Sequence, residues 1–443
     1  MKQTGAICLI PHILRQPADS FVRNAPGPMS ASPTPTPAES NRILWGGVIL
    51  AAVLMLATLP GRTQGLALIT EPMLTDLALD RVTYANINFW ATLLGAAVCL
   101  PIGWILDRSG LRWTTLALVL GLAYVVWRLS THPTGGVMVL FLWIFLTRAL
   151  GQSALSVASI TTAGKAAGNR PGQAMGVYSV LMIVFFSVAF VMLGATIRDD
   201  GWRKAWGYVA MSLAFGVAPL ALLLPRGGGA KAKRAEMGGG AGMATGPLPL
   251  TGATLGEALR TRVFWIFAGA TALYNLVASG FGLFNEAVLA EMGFGQETFH
   301  IFLPVMAVFT LMGQGLCGWL TMRRSMPVLL GAAMLLYAVA LGMMPMVRAE
   351  ALLWVVAGMV GVTTGFITVI FFAVWSQAYG RAHLGRIQGA AQMMTVLSSA
   401  IGPEIFARSH AWNGSYMPAM VGLSILVVVA GVLAWRTKLP RVG

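Results

Sequence analysis

Twelve runs of apolar residues, each close to the roughly 20 that a bilayer core demands, leave this chain few folds to choose from. They fall over residues 43–70, 83–106, 113–131, 136–161, 173–196, 204–224, 263–288, 299–321, 327–347, 351–376, 387–408 and 416–435. Inside hydrocarbon no water satisfies a free backbone N–H or C=O, so each run must close its own hydrogen bonds as an α-helix. Composition agrees. Only 10% of the 443 residues are charged, against about 25% in a soluble domain. The expected fold class is an all-α polytopic membrane protein with 12 transmembrane helices.

The basic residues set an orientation. With the N-terminus inside, 21 Lys and Arg fall in the tails and alternate loops on the cytoplasmic side, and seven on the outer side. Such an excess marks cytoplasmic loops, so both termini are expected to be cytoplasmic and the location to be a bacterial plasma (inner) membrane. The formal charge of +15 raises the question of nucleic acid, but that partner needs clustered basic residues. Here they are scattered singly between apolar runs, and no nucleic-acid partner is expected. The cysteines Cys8, Cys99 and Cys317 have neither disulfide nor metal-ligand spacing. No metal and no cofactor are expected.

The same pattern divides the chain into regions. Residues 1–42 read as a disordered cytoplasmic tail rich in Pro, Ser and Thr, in which Met29 offers an alternative start to Met1. A six-helix bundle over 43–224 precedes a cytoplasmic linker over 225–262. The linker begins with the Gly- and Lys-rich "PRGGGAKAKRAEMGGG" and ends in a short amphipathic helix capped by Thr254 and Glu257. A second six-helix bundle spans 263–435, and 436–443 form a cytoplasmic tail.

The second helix of each bundle ends alike. "GWILDRSG" begins at Gly103 and "GWLTMRRS" at Gly318, with Met322 in the place of Asp107. Two six-helix halves in one order are parallel repeats, an arrangement that places a transport site between the halves. Here the chain resembles the major facilitator superfamily of transporters. The resemblance rests on Gly103, Asp107, Arg108, Gly110 and Arg112, which follow that family's pattern for the loop between helices 2 and 3. It implies that Asp107 latches the cytoplasmic ends in the outward-facing state, against the start of helix 11 near Ile387 and against Lys165 or Arg170. A carboxylate gains energy beside a helix N-terminus, which fits that role. Met322 leaves no latch in the second copy. The Gly-Pro signature of antiporters is missing from the fifth helix, "SVLMIVFFSVAFVMLGA".

Charges at membrane depth are expensive and mark substrate paths. Arg62 lies in "LPGRTQGLALITEP" and Arg148 in "FLTRALGQSALS". The resemblance implies that helices 1 and 4 line the cavity, where two guanidinium groups would bind a carboxylate or another oxyanion. Gln64 and Gln152 lie near them, and helix 7 of the second half offers Tyr274 and Asn275 as further candidates. Snorkelling is the alternative reading of Arg62, and a structural pairing that of Arg148. "GRTQG…P" and "TLGEALRTRVFWIF" are similar to the superfamily's monocarboxylate and oxalate-porter-like branch. Glu71, Glu286 and Glu404 are the candidates for coupling to protons or sodium.

The function expected is secondary active transport of a small organic anion by alternating access, as a symporter acting as a monomer. Export of amphipathic, drug-like compounds is the alternative. A transporter-like sensor and a membrane-embedded enzyme are more distant. His12, His132, His300, His383 and His410 have no acid–base partners in sequence, and no G-x-x-x-x-G-K-[ST] phosphate loop occurs.

Overall fold

The computed structural model describes residues 37–79, 81–131, 136–167, 170–225 and 252–439. Residues 1–36 of the expected tail, the Gly- and Lys-rich stretch 226–251 and the last residues from 440 onward lie outside the described residues.

Twelve helical rods form the body. The first, α1, is broken: Pro37–Leu56 leads through a 3₁₀ turn at Leu59–Gly61 into Thr63–Leu77. α2 runs through Arg81–Ala97 and Cys99–Ser109, and α3 through Leu111–Thr131. α4 comprises Val137–Thr147, a π-helical stretch at Arg148–Leu155, and Ser156–Ala166. α5 spans Pro171–Asp200, and α6 spans Trp202–Met211, a second π stretch at Ser212–Val217, and Ala218–Ala221. The second six are α7 (Arg262–Glu291), α8 (Gln296–Leu320), α9 (Met326–Met343), α10 (Glu350–Tyr379), α11 (Leu384–Asn413) and α12 (Met417–Arg436).

Nine helices among the described residues are long and apolar enough to cross a membrane. α1, α6 and α11 fall outside that set for physical reasons. The 3₁₀ turn divides the apolar run of α1, α6 opens on Arg203 and Lys204, and α11 carries Arg386, Glu404, Arg408 and His410. The structure also starts α1 at Pro37, six residues inside the expected tail.

Two apolar cores hold the rods together. One is built from buried residues of α1–α6, around Leu54, Ile69, Val119, Ile144 and Trp206, with Met393 of α11 packed against it. The other fills α7–α12 and also takes in Val48, Ala51 and Met55 of α1, Ile160 of α4 and Tyr178 of α5. The two halves therefore share one core at the end of the bundle that carries Asp107. Away from that end α5 loses its cover: its buried residues run only from Gly172 to Ser179.

Glycines make that seam. Gly103 of α2 lies against the backbone of Gly385 and Arg386, and Gly389 against Cys99. On the other flank Gly176 of α5 meets Gly318 of α8 at backbone distance. A Cβ at Gly103 or Gly389 would overlap main-chain atoms of the opposite half. Such contacts allow no relief by rotamer change, so added bulk costs about 1–3 kcal/mol or moves the helices apart. Gly103→Val is therefore expected to shift spin-label distances between the Asp107 ends of α2 and α11 to longer values. Gly207→Ala, whose added methyl meets no neighbour, should leave them unchanged.

Candidate functional site

The break in α1 and the wide turn of α4 face each other. Pro60 and Gly61 close the 3₁₀ turn, where Gly61 and Gly151 bring the two backbones together and a Cβ on Gly151 would sit 2.9 Å from Gly61 Cα. Each of these irregular segments carries or adjoins an arginine. Interruptions of this kind are sustained in membrane helices only where neighbours re-satisfy the freed backbone groups, and π stretches often mark functional positions.

Arg148 is 4% exposed and its guanidinium is heavily occupied. Nη1 donates to Gln152 Oε1 (2.7 Å), Thr63 Oγ1 (2.9 Å) and Gly61 O (3.4 Å), and Nη2 to Asn88 Oδ1 (2.9 Å). Only its buried Nε lacks a partner. One side chain thus joins α1, α2 and α4 at the break.

Arg62 is different. It is half-buried, its Nε donates to Thr58 Oγ1 (2.7 Å) and its Nη2 to Ser156 Oγ (3.3 Å) and to Met55 Sδ. The guanidinium carbon lies 5.4 Å from the ring centroid of Phe186 on α5. Nη1 has no partner among the described residues. Neither arginine meets a carboxylate: the described ion pairs are Lys165–Asp107, Arg203–Asp76, Lys204–Asp200 and Arg408–Glu404. One buried and one half-buried cation with only neutral partners among the described residues are an unbalanced charge, which proteins ordinarily pair.

The other expected residues divide. Gln152 joins the arginine network, whereas Gln64 is exposed on the second piece of α1. Tyr274 is buried, donates its hydroxyl to Thr364 of α10 at 2.9 Å and packs on Tyr337 of α9. Asn275 is half-buried and donates to Thr271 O on its own helix. Glu286 is exposed, and Glu404 is exposed in its pair with Arg408 (2.8 Å). The Glu71 side chain lies outside the described residues. Thr58, Thr63, Asn88, Ser156 and Phe186 belong to the site without having been anticipated. Asn88, which with Asn86 interrupts an apolar run, was the one readable signal among them.

The second charged centre lies at the closed end. Asp107, 7% exposed, accepts from Gly385 N (3.1 Å) and Arg386 N (2.9 Å), and Lys165 Nζ approaches to 3.3 Å. Gly385 and Arg386 belong to the first turn of α11, whose amides have no partner within their own helix. Asp107 therefore caps a helix of the opposite half. Arg381 reinforces the junction by donating to Lys165 O (3.4 Å). Gly110 ends α2 at φ 84° and lets Leu111 begin α3 at once. Arg112 donates to Leu224 O at the end of α6 (2.6 Å), and Arg108 lies over Trp104.

Comparison with known proteins places this geometry. The profile of the Major Facilitator Superfamily matches residues 48–403. No curated protein sequence matches the chain. Among solved structures, the human organic anion transporter MFSD10 (TETRAN) superimposes with a TM-score of 0.63 at 15% identity, over 89% of this chain and 98% of that one. FucP, captured in the outward conformation, gives a TM-score of 0.63 at 14% identity, over 89% and 98%. The proton:xylose symporter XylE, bound to 6-bromo-6-deoxy-D-glucose, gives 0.60 at 14% identity, over 90% and 94%. At such identities the likeness is one of fold.

Asp107→Ala leaves two amides of α11 uncapped and Lys165 without its acid, a loss of about 1–3 kcal/mol. The expected result is a lower Tm for the purified protein, with Asp107→Asn intermediate because its amide oxygen still accepts. Lys165→Ala should cost less, about 0–1 kcal/mol.

Proposed function

The chain belongs to the major facilitator superfamily, a family of membrane transporters, and from that premise we propose that it carries a small organic anion by alternating access. The observation that carries this reading is Arg62: a half-buried guanidinium with, among the described residues, one nitrogen unpartnered and no acid beside it. A substrate carboxylate at Nη1 supplies the missing negative charge, and Phe186 offers an apolar face to the rest of the molecule. Arg148 contributes positive potential while its hydrogen bonds hold the break of α1, and with it Arg62, in place. The bundle, closed at the Asp107 end and uncovered along α5 beyond Ser179, corresponds in this reading to an outward-facing carrier with Asp107 and both termini in the cytoplasm of a bacterial cell.

Export of amphipathic compounds is the second reading. The rings of Phe186 and Phe190, 5.8 Å apart along α5, favour it. Coupling to protons or sodium would draw on Glu71, Glu286 or Glu404; the exposed ion pair of Glu404 with Arg408 is the least suited of the three to a carrier's interior.

Uptake by reconstituted protein separates these readings. Arg62→Gln is expected to raise KM for the transported carboxylate about 10- to 150-fold, the equivalent of the roughly 1.5–3 kcal/mol of a lost charged hydrogen bond. Arg148→Lys is expected to lower the maximal rate strongly, because an ammonium lacks the planar fork that reaches four acceptors at once. An unchanged KM for every carboxylate in Arg62→Gln, with retained efflux of amphipathic cations, would favour the exporter.

A further inference from the structure

The two copies of the loop motif agree in a pair of residues that neither the seam nor the latch uses. Gly103 and Gly318 each pack against the opposite half, and the acid at position 107 has become Met322. What both copies retain is a tryptophan after the glycine and an arginine four residues on. The structure gives the two pairs one geometry. The Arg108 guanidinium carbon lies 5.0 Å from the Trp104 ring centroid, and that of Arg323 lies 4.3 Å from Trp319. Both indoles are 44% exposed, although they sit on helices of a membrane-spanning bundle. Neither arginine has an acid partner among the described residues, and both are exposed.

Each stack crowns an exposed apolar strip. Leu100 precedes Trp104 by one turn of α2, at 37% exposure; Met312 and Leu316 lead to Trp319 along α8, at 60% and 46%. An indole at the end of a membrane helix occupies the headgroup layer, and a guanidinium stacked on it is held there instead of roaming. Asp107, next to Arg108 in sequence, is spent on α11 and Lys165. The edge of each guanidinium keeps N–H donors in the fork that matches two oxygens of one phosphate.

We propose that Trp104–Arg108 and Trp319–Arg323 are a matched pair of headgroup sites for anionic phospholipid, one on each half of the transporter. The phosphodiester sits on the guanidinium edge, and the glycerol and upper acyl chain lie along the ring and the leucines beneath it. A lipid is favoured over free phosphate because the exposed strip continues from the ring toward the membrane interior on both helices. The proposal does not depend on which substrate is carried.

Native mass spectrometry of the purified full-length protein tests it, with phosphatidylglycerol, phosphatidylcholine or inorganic phosphate added. Two retained phosphatidylglycerol molecules are expected, falling to one in Arg108→Gln and in Arg323→Gln and to none in the double variant. Arg108→Lys and Arg323→Lys keep the charge and should retain lipid more weakly. These conservative variants and the single glutamine variants answer the question should the double variant not fold. Phosphatidylcholine should not be retained. Two molecules of phosphatidylglycerol on the double variant, or displacement of the lipid by millimolar inorganic phosphate, would overturn the assignment.

Discussion

The cap that Asp107 places on α11 governs how the two halves of this molecule stand to each other. A helix beginning in an apolar interface has amides with no partner, and a carboxylate with no cation near it is equally costly to bury. Each cost is met by the other, with Lys165 balancing the charge. The carboxylate reaches those amides only because glycine backbones touch at Gly103 and Gly385. Bulk at either glycine and loss of the acid act on the same contact. The α5–α8 flank, built on Gly176 and Gly318, has the backbone contact without a carboxylate, so the two flanks of the closed end are held by unequal means.

Toward the middle of the bundle the balance is reversed. Arg62 and Arg148 are surrounded by hydroxyls, an amide pair, a carbonyl and a thioether, all neutral. Neutral acceptors stabilise a buried cation without cancelling its field. The two arginines nevertheless differ in what they have left to give. Arg148 has nearly exhausted its donors on three helices, whereas Arg62 keeps one nitrogen open beside an aromatic ring. A static inventory of membrane-depth charges treats them as equals; hydrogen-bond accounting separates them, one nearly saturated and one with a donor to spare.

Much of this was legible in the amino-acid order, for identifiable reasons. Bilayer thickness fixes helix length, so apolar runs gave the rods, and the spacing of Gly103, Asp107, Arg108, Gly110 and Arg112 pointed to the loop and its partner helix. The partner was placed near Ile387, and the carboxylate meets Gly385 and Arg386. The two arginines stood out because charge is rare at such depth. The break in α1 did not, although Pro60 and Gly61 were visible, because the apolar run continues through it. Asn88 and Ser156 were passed over because polar groups in a membrane helix most often tie helices together. The π stretch of α4 has no local signal, and within it Gly151 meets Gly61 of α1.

That stretch, Arg148–Leu155, carries an implication about descent. A π turn holds one residue more than the α turn it replaces, and each added residue turns everything beyond it by about 100° at 3.6 residues per turn. A chain one residue shorter between Thr147 and Ser156 would keep both ends of α4 in their apolar surroundings only by presenting another side chain to Gly61. Where Arg148 points is thus recorded as a count of residues as much as by the arginine itself. Insertion or loss of a single codon there would change which side chain of α4 faces Gly61 while leaving its hydropathy profile almost untouched.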